Sequence, residues 1–251
     1  MKPVAAMWNK DYIGWSVEKR AEFANLLNRL CALLDANNEG NATVHDDMAV
    51  WFRNLFFTTD PRFIRAAGDM PRVLQARMWR IYTLCWSAEQ AHFSTGKRIY
   101  CDIGTYDGRA LDIVLRYQDF PYGFEPEVYA FDFFDGVPLE ARKAGHGPGL
   151  YDEVLRRLEP WGAKVYPGDI RTTMEHLPDE ISWCQIDLND ADAEGAVFPA
   201  VYERLLPGAV VVFDDYGFRR YRESALQHQK FLKGKEQVLE LPTGQGLLVK
   251  A

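Results

Sequence analysis

Long apolar runs are missing from this sequence. None approaches the roughly 18–20 residues of a membrane-spanning helix, and the opening residues lack the charged-then-apolar order of a secretory signal. The expectation is a cytoplasmic protein with no membrane partner. Positive charge is short as well: the formal net charge is -7, and the Lys and Arg residues are scattered. Neutralising a phosphate backbone needs clustered basic side chains, so no nucleic-acid partner is expected. Cysteine is scarce, with residues at 31, 85, 101 and 184 and no C-x-x-C pair of the kind that holds zinc or runs redox chemistry. Cys101 and Cys184 fall inside apolar runs and read as buried free thiols.

What remains is the composition of an ordinary globular chain: 251 residues, 47% hydrophobic and 26% charged. That length buries one sizeable core and leaves room for a small extension. The chain divides near residue 96. Residues 1–96 read as an N-terminal helical cap of the same domain. After Ser16, a candidate N-cap, apolar residues recur at helical spacing from Phe23 to Leu34. Thr43 and Asp46 resemble a capping box ahead of Trp51, Phe52 and Leu55, and Asp60-Pro61 opens another helix. A further apolar stripe runs from Pro71 to about Ala91.

Residues 97–251 alternate short apolar runs with helical segments. Strands are predicted at Ile99–Ile103, Val128–Asp132, Ala163–Tyr166, Ile181–Asp187 and Ala209–Phe213. Gln237–Leu241 and Gly246–Lys250 flank a Pro-Thr-Gly-Gln turn and read as an antiparallel hairpin. The pattern predicts an α/β fold with a mostly parallel, doubly wound sheet.

In such sheets ligands bind beyond the carboxyl ends of the strands. The first strand ends in Asp102-Ile-Gly104-Thr-Tyr106-Asp-Gly108, a turn whose glycines let the backbone approach a ligand. The middle glycine of a dinucleotide fingerprint is absent, and Tyr106 stands in its place, which weighs against an NAD-dependent oxidoreductase. Asp132 ends the second strand, where a carboxylate accepts ribose hydroxyls. Asp169 follows the third strand, as a nucleobase contact or simply a helix cap. Asp187 ends the fourth strand, and Asp214 and Asp215 the fifth. Three converging carboxylates repel one another unless a cation neutralises them, and oxygen ligands suit Mg²⁺. A turn cap paired with Arg219 or Arg220 is the plainer reading of the last two.

These motifs together resemble the macrocin O-methyltransferase group of S-adenosylmethionine-dependent enzymes. The resemblance covers about the last 155 residues, through Cys101–Gly108, Phe131-Asp-Phe-Phe-Asp-Gly-Val-Pro138, Gly168–Pro178, Ile186-Asp187 and Leu206–Gly217. It implies a Rossmann-like class I methyltransferase fold, S-adenosylmethionine and Mg²⁺ as cofactors, a sugar or natural-product hydroxyl as acceptor, and homo-oligomers. Carried over, Gly104, Tyr106 and Gly108 contact the methionine portion, Asp132 the ribose and Asp169 the adenine side. Asp102 and Phe133 are counted with these cofactor positions. Asp187, Asp214 and Asp215 become metal ligands, and Asp187 the catalytic proton acceptor. The chain departs from the group's D-x-D-x-Y after the fourth strand, reading Asp187-Leu-Asn189-Asp190-Ala191. A metal-independent methyltransferase and a non-catalytic ligand sensor are the alternative readings.

Three histidines, His146, His176 and His228, are further base candidates, although each alone reads more simply as a surface or core residue. Gly145-His-Gly-Pro-Gly149 reads as a lid or a plain surface loop. Trp8, Trp15, Trp51 and Phe56 either line an acceptor pocket or, as is commoner, pack the core.

Overall fold

A computed structural model describes residues 16, 18, 19, 22, 25, 26, 29, 43, 44, 49, 50, 56–68, 77–118, 125–136 and 146–251. The chain forms two compact units, residues 1–64 with 68–78, and residues 65–67 with 79–251. In the first, the described residues between 18 and 29 are helical, and Ser16 Oγ accepts from the Lys19 amide at 3.2 Å, as its N-cap reading requires. Asp60 likewise caps the helix Pro61–Ala67, accepting from the Arg62 amide at 2.8 Å. The supposed capping box is different. Thr43–Val44 pairs with Ala49–Val50 in a small antiparallel sheet. β-Branched residues at Thr43, Val44 and Val50 favour extended backbone, and that preference overrides the local cap signal. Trp8, Trp15, Cys31, Trp51, Gly145 and most of the Phe23–Leu34 stripe lie outside the described residues; Leu26 and Phe56 are exposed.

The second unit is built on seven strands: β1 (Ile99–Ile103), β2 (Glu127–Asp132), β3 (Lys164–Pro167), β4 (Ile181–Ile186), β5 (Leu205–Phe213), β6 (Leu239–Glu240) and β7 (Gly246–Val249). Their spatial order is β3-β2-β1-β4-β5-β7-β6. Strands β1 to β5 are parallel, and β7 runs antiparallel to both its neighbours. The main helices are α1 (Met78–Thr95), α2 (Arg109–Gln118), α3 (Leu150–Leu158), α4 (Ile170–Thr173), α5 (Ala191–Arg204) and α6 (Arg222–Leu232).

Burial on both faces explains why β1 and β4 are mostly apolar: every residue of each is buried, the polar Asp102, Ser182 and Gln185 included. Alternate residues face opposite ways. Cys101, Ile103, Cys184 and Ile186 join Val197, Phe198 and Phe213 in one cluster. Tyr100 and Trp183 meet edge to face at 5.7 Å, and the Trp183 indole donates to Ser87 Oγ of α1 at 2.8 Å. Helix α1 therefore packs with the sheet, and the compact unit begins well before residue 96. Cys85, Cys101 and Cys184 are buried free thiols, the last two register partners across β1 and β4. None of the described helices is long and apolar enough to cross a membrane.

Candidate active site

The strand order reverses at β1, with β2 and β3 on one side and β4 on the other. The crevice at the carboxyl ends of β1 and β4 is thus a topological switch point. Three loops meet the strand ends there, and each contains a non-glycine residue with left-handed backbone: Tyr106 after β1 (φ 53°), Phe134 after β2 (φ 49°) and Asn189 after β4 (φ 58°). Such conformations cost about 1–2 kcal/mol each and persist where the surroundings over-determine them. No other described non-glycine residue has positive φ.

Gly104 has φ +94°, and a Cβ there would overlap the backbone carbonyl of Asp187. Its bareness lets two strand ends close on each other, with the Asp187 amide donating to Ile103 O at 2.8 Å. The glycine thus serves the crevice wall as well as any ligand. Tyr106 adopts the conformation of the glycine it stands in for, and its ring meets His146 edge-on at 5.0 Å. Gly108 (φ +72°) leads into α2 beside Val154 and Leu158.

Asp132 ties these loops together. Its Oδ2 accepts from the Tyr106 amide at 2.7 Å, its Oδ1 from the Phe134 amide at 3.2 Å, and His146 Nε2 lies 3.8 Å away. Burial pushes the carboxyl upward, but His146 and the two amides outweigh it and hold Asp132 below the usual range. Each oxygen has a second lone pair for a hydroxyl donor. Phe133 follows directly, half-buried. Asp169 caps α4 through the Arg171 amide at 2.9 Å and pairs with the Arg171 guanidinium, which holds its carboxyl low. Its capping role is therefore present whether or not it also meets a base.

Asp102 is buried beneath the same loop. Burial raises its carboxyl to about 7 against an opposing bond from Thr105, with smaller upward contributions from the fields of Asp132 and Asp214. Among the described residues, neither Asp102 Oδ1 nor Gln185 Oε1, its register neighbour on β4, finds a hydrogen-bond donor. An unsatisfied buried acceptor costs about 1–3 kcal/mol, so this end of the crevice is built to receive donor groups.

The other carboxylates are already engaged. Asp187 Oδ1 accepts from Asn189 Nδ2. Arg80, from the first turn of α1, pairs with Asp214 Oδ2 and with Asp215 Oδ1 at 3.1 Å, and donates to Asp214 O at 2.7 Å. Gln245 Nε2 donates to Asp214 Oδ1 at 3.1 Å. The Mg²⁺ triad expected of Asp187, Asp214 and Asp215 is thus not shown by the folded arrangement. Among the described residues no group of three His, Cys, Asp or Glu side chains is arranged to hold a metal. A guanidinium and an amide occupy the Asp214 oxygens, and unit charges about 4 Å apart interact by about 4 kcal/mol at an effective dielectric of about 20. A divalent ion there would meet roughly twice that repulsion from Arg80, which offsets much of the attraction of one of the two carboxylates. As folded, Arg80 and Gln245 compete with a hard cation for these oxygens.

Sequence reasoning missed Arg80, although a signal existed. Arg80 shares its helix face with Leu84, Ser87, Ala88 and Ala91, all buried, and a lone charge on such a face implies a buried partner. It also missed Glu194, buried on α5, whose Oε1 accepts from the Asn189 amide at 3.2 Å and whose Oε2 lies 3.4 Å from His228 Nε2. His228 is 1% exposed and stacks on Phe213 at 4.2 Å, so it is a core residue. His176 stacks on Tyr166 beside β3, away from the switch point.

No protein-family model and no curated protein matches the chain. Solved structures do. The O-methyltransferase NovP aligns over 90% of this chain and 99% of its own, with TM-score 0.56 and 15% identity. CalS11, a TDP-rhamnose 3'-O-methyltransferase of calicheamicin biosynthesis, aligns over 77% and 89%, with TM-score 0.55 and 18% identity. TomG from Streptomyces achromogenes, an O-methyltransferase of tomaymycin synthesis in complex with S-adenosylmethionine, aligns over 89% and 98%, with TM-score 0.50 and 15% identity. At such identities the likeness is one of architecture, and this chain has the Rossmann-like class I methyltransferase fold.

Proposed function

We propose that this chain is an S-adenosylmethionine-dependent O-methyltransferase acting on a hydroxyl of a small sugar or natural-product acceptor. The observation behind the reading is the pair of unsatisfied buried acceptors, Asp102 Oδ1 and Gln185 Oε1, at the switch point between β1 and β4. They call for a ligand rich in N–H donors, and the surrounding carboxylates favour a cationic one. S-adenosylmethionine has both an ammonium and a sulfonium, and supplies an electrophilic methyl group when bound. Asp102 and Gln185 are assigned to its amino-acid end, with Gly104 and Gly108 shaping the backbone around it. Asp132 would hold the ribose hydroxyls, with Phe133 and Asp169 towards the adenine. That NovP, CalS11 and TomG are described as O-methyltransferases supports the same reading.

In this proposal Asp187 takes the proton of the acceptor hydroxyl, its carboxylate oriented by Asn189. Assembly as a homo-oligomer is carried forward as part of the proposal, to be read by light scattering. Calorimetric titration with S-adenosylhomocysteine tests the core of it. Wild type should bind, and binding should weaken as pH falls below about 7, because a protonated Asp102 must then release its proton to meet a cation. Asp102→Asn should bind more weakly, with that pH dependence flattened. No binding by wild type at any pH would remove the methyltransferase reading.

A further inference from the structure

Arg80 is a heavily constrained charged side chain of the sheet-bearing unit, and the proposed chemistry has so far given it no part. Its side chain is 6% exposed. One nitrogen, Nη2, reaches the Asp214 carboxylate, the Asp214 carbonyl and the Asp215 carboxylate together. The guanidinium also lies 5.3 Å from the centre of the Phe218 ring. Phe218 is itself fixed from below, since a Cβ on Gly244 would overlap its ring edge. On the opposite side, fully buried Gln245 donates to Asp214 Oδ1 and contacts the carbonyl of Arg80 at 3.4 Å. Asp214 is thus enclosed by donors on both carboxylate oxygens and on its backbone oxygen.

We propose that Arg80 is a built-in counter-ion of the Asp214–Asp215 pair, taking the place a divalent cation would otherwise fill, so that no metal is held at these carboxylates. The inference rests on the methyltransferase reading and deepens it, by making Arg80 a positioning residue for the aspartates at the end of β5. The chemistry favours a guanidinium for this task. It keeps its charge at any working pH and offers several N–H donors in a fixed plane, so a single side chain can neutralise two carboxylates and a carbonyl. A hydrated ion would have to share those same oxygens with Arg80 and Gln245 and would sit against the positive charge of the guanidinium.

Arg80→Met, close in length and without charge, tests this, alongside Arg80→Lys and the double variant Arg80→Met with Asp214→Asn. Each is titrated with Mn²⁺ alone, read by electron paramagnetic resonance, and separately with S-adenosylhomocysteine. Wild type and Arg80→Lys should show no saturable Mn²⁺ binding. Arg80→Met should gain a site, at least about tenfold tighter than any residual wild-type affinity, because the aspartates lose the charge of the Arg80 guanidinium. The double variant should lose that site again. A merely structural arginine would destabilise the fold when replaced, but would not create a metal site. Saturable Mn²⁺ binding by wild type that Asp214→Asn abolishes would overturn the proposal, as would an Arg80→Met protein that folds and gains nothing. If Arg80→Met does not fold, the wild-type titration with its Asp214→Asn control still decides. Failure of S-adenosylhomocysteine to bind wild type would instead count against the methyltransferase reading.

Discussion

At the scale of single residues, two positions separate backbone need from ligand need. Gly104 combines φ +94° with direct approach of the Asp187 carbonyl, so Gly104→Ala brings both a disfavoured backbone and a clash. Gly96 has φ +67° and nothing within 4 Å of its missing Cβ, which makes it the control for backbone cost alone. Gly96→Ala should lose about 1 kcal/mol in urea unfolding, and Gly104→Ala roughly 2–4 kcal/mol. Equal losses would mean that the Asp187 contact is soft. Tyr106 is the converse case, a side chain kept in a glycine conformation. Tyr106→Gly should raise stability by up to about 1 kcal/mol while weakening S-adenosylhomocysteine binding by about three- to tenfold. A gain in stability with unchanged affinity would place the tyrosine outside the cofactor site.

At the scale of elements, the sequence was most legible where one signal dominated. The five parallel strands and the closing hairpin lie where the apolar runs and turn residues predict, most plainly at the central β1 and β4, where burial on both faces leaves little room for polar side chains. Strand β5 begins at Leu205 rather than Ala209, since pairing to β4 continues across an irregularity between Ile181 and Trp183 that periodicity does not register. The Thr43 segment departs from the cap reading because a four-residue cap pattern is weak beside local pairing with Ala49–Val50 only a few residues on. The geometry of the candidate site was legible at Gly104, Tyr106 and Asp132, whose placement follows from their standing at strand ends. It was not legible at Asp214, because its partners Arg80 and Gln245 lie 134 and 31 residues away. Spacing along the chain says nothing about which charge a folded carboxylate meets.

At the scale of the whole molecule, the site's buried acids make stability depend on pH in a direction opposite to that of ion-paired carboxylates. Burial, reinforced by Asp215, raises Glu194 from its ordinary 4.5 to about 7. Between those values the folded chain keeps a proton that the unfolded chain has released, so stability falls as pH rises from about 4.5 to about 7 and the full cost remains above. Burial lowers His228, its neighbour 3.4 Å away, to about 4. The unfolded chain then holds the extra proton up to the ordinary 6.5, so the histidine's contribution rises with pH over about 4 to 6.5 and partly offsets that of Glu194. Glu194→Gln keeps an acceptor for the Asn189 amide but removes the acid. It should therefore match wild type near pH 4.5 and exceed it above pH 7 by roughly 2–3 kcal/mol, measured by urea unfolding at several pH values. In that variant the remaining His228 contribution should steepen the rise in stability between pH 4 and 6.5 relative to wild type. Parallel pH profiles for the two proteins would mean that Glu194 stays ionised in the fold, with Asn189 and Ser224 together outweighing its burial.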